Sequence, residues 1–316
     1  MTEQRKLIRL GNSSFALALP KSWVDKSGLK KGDKVSITPD ANGGLTIGAD
    51  VNELDKNKEV FLDLKEKEGK HLEISLIGAY LKDNNIISIK NNLSAEKKKN
   101  VKNLIKNLMS FEIIEENNEE IKARDMFNIK EADPKNFIRR MDNIVRSFFE
   151  DLEQILIEGK SSKKISEEMY EADKEVTRLH LLISRIFMKS LGNPSMLHAL
   201  GLNYNEIFND WWIAKHIESI GDGIKFITRK SEVMFEEKDQ ILLVLKKLKE
   251  NYISCMNAYY KREEKLVEIV ISNSKKLLEE CDKIEDAEMK GLIRENLKKI
   301  QIDIFEIARM LVYSLV

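Results

Sequence analysis

The alternation of apolar and polar positions changes its period along the chain. In the first fifty residues, short runs with a period of two, typical of half-buried strands, cover 5–10, 14–20, 34–39 and 44–49. A helical turn opens at Pro20 and Lys21 and ends at Gly28. The pattern predicts a β-β-α-β-β domain over residues 1–50. Because so small a unit buries little core alone, we expect it to dimerise.

The second segment, residues 51–128, mixes strand and helix patterns. Strands are predicted at 59–65 and 85–90, and helices at 71–84 and 94–109, the second of them capped by Ser94. A hairpin follows at 111–124 and turns at Asn117 and Asn118. These elements indicate a small α+β domain in which no group of residues concentrates chemistry.

From residue 133 onward the apolar period becomes that of α-helices. Six helices are predicted, and together they form a helical domain over 133–316: 134–158, 162–190, 204–235, 238–260, 262–282 and 286–315. Their grouping favours two antiparallel three-helix bundles, about 134–235 and 238–316. The predicted fold is therefore multidomain: a small β-rich domain, a small α+β domain, then an all-α pair of three-helix bundles.

Charge and cysteine content narrow the function classes. Fifty-three basic residues balance fifty-three acidic ones, so any electrostatic attraction to a partner must be local. Cys255 and Cys281 lack the spacing of a zinc site or a disulfide framework, and the four histidines are not paired. Without an apolar leader or a run long enough to span a membrane, we predict a soluble, cytoplasmic protein. The absence of a nucleophile–base pair argues against an enzyme.

The first segment carries a small surplus of cations, and Arg5, Lys6 and Arg9 would be doubled in a two-fold dimer. Its sequence, RKLIRLGNSSFALALPKSWVDKSGLKKGDKVSI, resembles the AbrB/SpoVT-type swapped-hairpin DNA-binding domain. That resemblance implies a homodimer of interleaved hairpins with basic residues against DNA, here Arg5, Lys6, Arg9 and Lys21. Many members carry an arginine after the first glycine, where this chain has Asn12. A module that only dimerises therefore stays an alternative.

In the helical part, Glu218 and Asp222 have the i, i+4 spacing that sets two carboxylates on one helix face. Such a pair can share a metal ion with acids from a facing helix, or it can be a solvated face or a helix-pairing contact. Gly221 and Gly223 within the same helix indicate close approach of a backbone or a ligand, since glycine otherwise weakens a helix.

Three helical stretches, FIRRMDNIVRSFFEDLEQIL, EADKEVTRLHLLISRIF and IESIGDGIKFI, resemble the PhoU family of phosphate-uptake regulators. The resemblance implies two tandem three-helix bundles and an iron or zinc cluster held by acid pairs on facing helices. Carried over by position, the ligands are Glu218, Asp222 and Asp173. Thr177 stands where the second aspartate of one pair is expected, and Lys299 stands four residues after Glu295 in the last helix.

The order of the modules resembles the archaeal PhoU-type regulators that bear an AbrB domain. It predicts a cytoplasmic homodimeric regulator of phosphate uptake that binds DNA and a phosphate-transport or signalling protein, without inserting into a membrane. The alternative is an adaptor that inhibits a phosphate transporter or kinase, with the first module serving only dimerisation. A metal-dependent enzyme is the least favoured class.

Overall fold

A computed structural model defines the fold. It describes residues 4–39, 44–49, 58–82, 84–90, 92–128, 132–160, 163–192, 196–197, 200–230, 238–284 and 288–315. Internal contacts divide the chain into two compact units, 1–57 and 58–316. The predicted domain boundary at residue 50 and the predicted end of the third helix at residue 235 lie outside the described residues.

The first unit has the predicted β-β-α-β-β order. Two antiparallel hairpins, β1 with β2 and β3 with β4, flank a one-turn helix. The elements are β1 (Leu7–Leu10), β2 (Ser14–Leu17), α1 (Lys21–Lys26), β3 (Val35–Pro39) and β4 (Leu45–Ala49). Gly11 allows the first tight turn because its φ is +69°, a value that glycine adopts without strain. Within residues 4–37, 44–45 and 47–48 of this unit, no side chain is buried.

The second unit begins with a four-stranded sheet in the order β5-β6-β8-β7. Strands β5 and β6 run parallel, joined by the crossover helix α2, and the other pairs are antiparallel. Helix α3 starts at the predicted cap, where the Ser94 hydroxyl accepts a hydrogen bond from the Lys97 amide at 3.3 Å. The bounds are β5 (Glu59–Leu62), α2 (Gly69–Leu81), β6 (Ile86–Lys90), α3 (Ala95–Asn107), β7 (Phe111–Glu116) and β8 (Glu120–Asp125).

Six long helices complete the second unit: α4 (Pro134–Glu158), α5 (Lys163–Gly192), α6 (Tyr204–Arg229), α7 (Lys238–Lys261), α8 (Glu264–Asp282) and α9 (Glu288–Leu315). Local sequence sets their ends. Asp133 caps α4 through the amides of Lys135 and Asn136, and Gly159 ends it in the left-handed conformation. The predicted two groups, α4–α6 and α7–α9, are present. They share one hydrophobic core, because α6 packs on α9 and α4 on α7.

The buried guanidinium of Arg185 joins the sheet layer to the helices. Its side chain is 1% exposed. One terminal nitrogen donates to Asp125 Oδ2 at 2.7 Å and to the Asn84 carbonyl at 2.8 Å, and the other donates to the Tyr80 carbonyl. The rings of Tyr80 and Phe111 each lie 4.8 Å from the guanidinium carbon. Helix α5 is thus fixed to the strand β8 and to the end of α2.

The two helical glycines mark close helix packing. A Cβ atom on Gly221 would lie 3.3 Å from Val145 Cγ2 of α4, and one on Gly223 would lie 3.0 Å from Ile300 Cγ1 of α9. Of the two alternatives that the sequence left open, these contacts favour backbone approach. They explain why α6 lies at the centre of the helical core.

The two cysteines are buried free thiols, and no helix within the described ranges has the length and apolar character needed to cross a membrane.

Candidate functional site

The four cations predicted to contact DNA are all exposed on the first unit. Arg5 and Lys6 directly precede β1, Arg9 lies within β1, and Lys21 begins α1. Because side chains alternate along a strand, Arg9 lies on the face of β1 opposite to Ile8.

Arg9 also closes the first turn. Its Nε donates to the carbonyl oxygen of Gly11 at 3.2 Å, and a terminal nitrogen donates to the Asn12 carbonyl at 3.5 Å. Part of its hydrogen-bonding capacity is therefore used within the turn. Asn12 occupies that turn in place of a second cation.

The first unit also carries a set of exposed apolar side chains, here called the apolar surface: Leu7, Ile8, Leu10, Phe15, Leu17, Ile37 and Leu45. Leu7 and Ile8 are neighbours on β1 and point to opposite faces, yet they are 68% and 56% exposed. Both faces of the first hairpin thus present apolar area to solvent. Large exposed apolar patches are uncommon on soluble monomers and mark interaction sites.

The predicted metal ligands come together where α5 faces α6. The Lys225 ammonium donates to Asp222 Oδ1 at 2.7 Å and to Asp173 Oδ2. Asp173 is 6% exposed, and its Oδ1 has no hydrogen-bond partner among the described residues. Burial raises the pKa of Asp173 even though Lys225 opposes the shift. Burial acts against the charge of Lys225, but its two hydrogen bonds outweigh that effect and raise its pKa.

Glu218 lies one helical turn before Asp222 on the same face of α6. Burial, followed by the charges of Asp222 and Asp173, raises the pKa of Glu218 to about 7. The Nδ1 atom of His180 lies 4.0 Å from Glu218 Oε1. Burial, followed by the charge of Lys215, lowers the pKa of His180 to about 4, so its imidazole is neutral at neutral pH.

This acid cluster, Asp173, Glu218 and Asp222 with Lys225, does not fit the predicted iron or zinc. The Lys225 ammonium lies between two of the three proposed ligands and already supplies their counter-charge. Thr177 adds no carboxylate on α5, and Lys299 is exposed on α9. Within the described part of the chain, no group of three or more His, Cys, Asp or Glu side chains is arranged to hold a metal ion.

Sequence reasoning missed Lys225 as a member of this cluster and His180 as its neighbour. The i, i+3 spacing of Asp222 and Lys225 was a signal for an internal ion pair. Asp303, which continues the acid pattern in the last helix, accepts hydrogen bonds from Ser219 Oγ and pairs with His216 Nδ1, both at 2.7 Å. That carboxylate therefore ties α9 to α6 and is not part of the cluster.

Together these features define a multidomain chain with a small strand-rich first unit and a helical part built from two three-helix groups. Residues 138–230 match the family model of the PhoU domain, and residues 8–55 match the model described as antidote-toxin recognition MazE, bacterial antitoxin. Both matches are local, and they lie in the order that the sequence predicted, with the MazE-type segment before the PhoU segment. Comparisons with the curated proteins and with the solved structures each gave no significant match.

Proposed function

We propose that the protein is a cytoplasmic, homodimeric regulator of phosphate uptake that binds DNA through its first unit. The helical part senses a signal or recruits a phosphate-transport or signalling protein. The PhoU match supports the link to phosphate, and the MazE/AbrB-like match supports a dimeric DNA-binding module. Mechanistically, a ligand or partner bound to the helices shifts the geometry of the dimer and thereby its affinity for DNA.

The observation that carries this proposal is the composition of the first unit's surface. It combines the apolar surface, which leaves the described residues without a buried core, with four exposed cations. Pairing two copies covers apolar area and doubles the cations to eight per dimer. Each phosphate that a cation neutralises releases counterions, so binding by such a surface depends steeply on salt.

The test is a salt titration of binding to promoter duplex DNA, followed by fluorescence anisotropy. We expect binding at about 50 mM salt with a steep negative slope of log affinity against log salt, about 0.9 for each phosphate contacted. The double variant Arg5→Glu/Lys6→Glu should lose binding. The matched control is Lys163→Glu/Lys164→Glu, two adjacent lysines of α5 whose side chains are 91% and 83% exposed.

A flat salt response, or no binding at about 50 mM salt, contradicts DNA binding through phosphate contacts. Equal losses in the control variant would indicate only a general charge effect.

The second candidate is an adaptor that inhibits a phosphate transporter or kinase, with the first unit serving dimerisation alone. Two features favour it: the hydrogen bonds of Arg9 to the turn occupy donors that a phosphate would need, and Asn12 adds no cation there. An adaptor should retain partner binding and regulation in Arg5→Glu/Lys6→Glu, whereas a DNA-binding regulator should lose regulation.

A further inference from the structure

A cavity of about 830 Å³ lies between the two three-helix groups, where α4 and α6 begin and α7 and α9 end. Its volume is in the range of about 300–1,000 Å³ that small-molecule sites occupy. No member of the acid cluster lines it. The cavity adjoins helix α6 from the segment that matches the PhoU model and helices α7 and α9 from outside that match.

A buried carboxylate, Asp210, lies at the wall of this cavity and is 2% exposed. The Tyr259 hydroxyl donates to Asp210 Oδ1 at 2.8 Å, but Oδ2 has no hydrogen-bond partner among the described residues. Burial raises the pKa of Asp210 to about 6, so the group is ionised at neutral pH. A buried anionic oxygen without a donor is costly, and a protonated amine is the group that complements it best.

Around the cavity, exposed Lys135, Arg139 and Arg262 supply positive charge, which is opposed at Arg262 by Glu206, 3.7 Å away in the same lining. The Arg139 guanidinium is stacked over the Tyr260 ring at 5.0 Å. A simple anion would leave Asp210 Oδ2 without a hydrogen-bond donor, and a simple cation would be repelled by the exposed cations. A molecule that carries both an ammonium and an anionic group complements both parts of the cavity.

We propose that this cavity binds a small zwitterion of the amino-acid type. The ammonium group of the ligand donates to Asp210 Oδ2, and its carboxylate faces Lys135 and Arg139. Because Asp210 belongs to α6 and its partner Tyr259 to α7, the bound ligand ties the two helix groups together. The proposal does not depend on DNA binding or on phosphate.

Saturation-transfer NMR on the full-length protein with an equimolar mixture of the twenty amino acids is the first test. Any amino acid that binds is then titrated by calorimetry at about pH 7.5, where Asp210 is ionised. We expect Asp210→Asn to weaken binding by about tenfold or more, because a charge-assisted hydrogen bond is lost. The N-acetylated form of the same amino acid should not bind.

The matched control is Asp151→Asn, which changes an acid of α4 that does not line the cavity and whose pKa burial also raises. Its affinity should equal that of the wild type. The proposal is overturned if none of the twenty amino acids binds, or if Asp210→Asn binds as tightly as the wild type.

The pH dependence gives a separate readout. Affinity should fall as the pH is lowered through about 6, because protonated Asp210 no longer pairs with an ammonium group. Among the described residues of helix α9, those that line the cavity include Tyr313 but no charged side chain. The other titratable and charged groups around Asp210 are Asp133, Lys135, Arg139, Glu206, Tyr259, Tyr260 and Arg262. An affinity that does not change between about pH 7.5 and pH 5 contradicts the proposal.

Thermal unfolding of the ligand-free protein shows whether the Asp210 carboxylate serves ligand binding or the stability of the fold. An ionised Asp210 whose Oδ2 lacks a donor destabilises the fold, so Asp210→Asn should raise the melting temperature at about pH 7.5 by a few degrees. A lower melting temperature would mean that Asp210 serves the fold, and the proposal would be wrong.

Discussion

The two units of the chain cover their apolar side chains to very different extents. In the first unit Leu7 is 68% and Phe15 is 66% exposed, and none of residues 4–37, 44–45 and 47–48 is buried. In the second unit one continuous core, whose buried members are at most 5% exposed, runs through both three-helix groups. The second unit therefore has a buried apolar core that can stabilise it without another chain. In the proposed dimer, a second copy would cover the apolar surface and supply the core that the first unit lacks among its described residues.

The two units also differ in whether they bury charged side chains. The second unit buries charged side chains and gives them specific partners. Asp142, 1% exposed, accepts from Arg146 Nε and from the Tyr260 hydroxyl, both at 2.9 Å. In the described part of the first unit no charged residue is buried. We infer that paired charges select one arrangement of helices in the second unit, whereas the proposed dimer of the first unit would be held by apolar contact between copies.

The largest expected effect tests the exposed apolar surface. Phe15→Asp/Leu17→Asp places two charges on one face of β2 and should abolish dimerisation, because each charge would have to be buried between copies. Sedimentation equilibrium measures the mass, which should fall from two chains to one. The second unit should unfold at an unchanged temperature.

The matched control for that variant is Ile157→Asp/Leu243→Asp, which changes two apolar residues of the second unit that are 56% and 55% exposed. This control should remain dimeric. A wild-type protein that is monomeric at micromolar concentration, or a β2 variant that remains dimeric, would show that the apolar surface is not the dimer contact.

The next largest effect concerns the buried charges of the second unit. Arg185→Met removes the closer of the two cations beside the buried carboxylate of Asp125 and leaves only Lys189, whose Nζ lies 3.4 Å from Oδ2. The loss should cost about 3 kcal/mol in the free energy of unfolding, the lower end of the range for a buried ion pair that loses one partner. Denaturant unfolding measures the loss. Arg140→Met, which removes an arginine whose side chain is 61% exposed, should cost less than about 1 kcal/mol.

Equal losses in the two arginine variants would mean that the buried ion pair does not hold the sheet layer against the helices. A loss of the dimer in Arg185→Met would also contradict the assignment of dimerisation to the first unit.

The sequence predicted most element bounds because the deciding signals are local. Both ends of α4 are set by residues at the ends themselves: Asp133 and Pro134 at the start and Gly159 at the end. The predicted span 134–158 is the observed one. The hairpin at 111–124 likewise follows from its own alternation and its asparagine turn.

Features that depend on packing between distant segments could not be predicted from local sequence signals. Arg185 and Asp125 are 60 residues apart, and nothing near either one indicates the other. The Asp210 cavity requires the ends of four helices to meet. In the acid cluster, helical spacing predicted that Glu218 and Asp222 share a face. The position of Lys225 against Asp173 depends on how α5 packs on α6.

The smallest expected effect tests whether Lys225, without a metal ion, supplies the positive charge of the acid cluster. Lys225→Met leaves Asp173, Glu218 and Asp222 without their internal cation. We expect a loss of about 1–3 kcal/mol in the free energy of unfolding, the usual cost of a buried charge that loses its hydrogen-bonding partner. We also expect tighter binding of Zn²⁺ or Fe²⁺ than in the wild type, measured by calorimetry and by elemental analysis of the purified protein.

The control is Lys174→Met, which removes a lysine of α5 that is 40% exposed and paired with Glu171. It should change neither stability nor metal content by a measurable amount, since an exposed ion pair contributes about 0–1 kcal/mol. Stoichiometric iron or zinc in the wild-type protein would mean that a metal displaces Lys225 from the two aspartates. If Lys225→Met binds no more metal than the wild type, the three carboxylates do not converge closely enough to share an ion. In that case Lys225 serves the packing of α5 on α6 and nothing more.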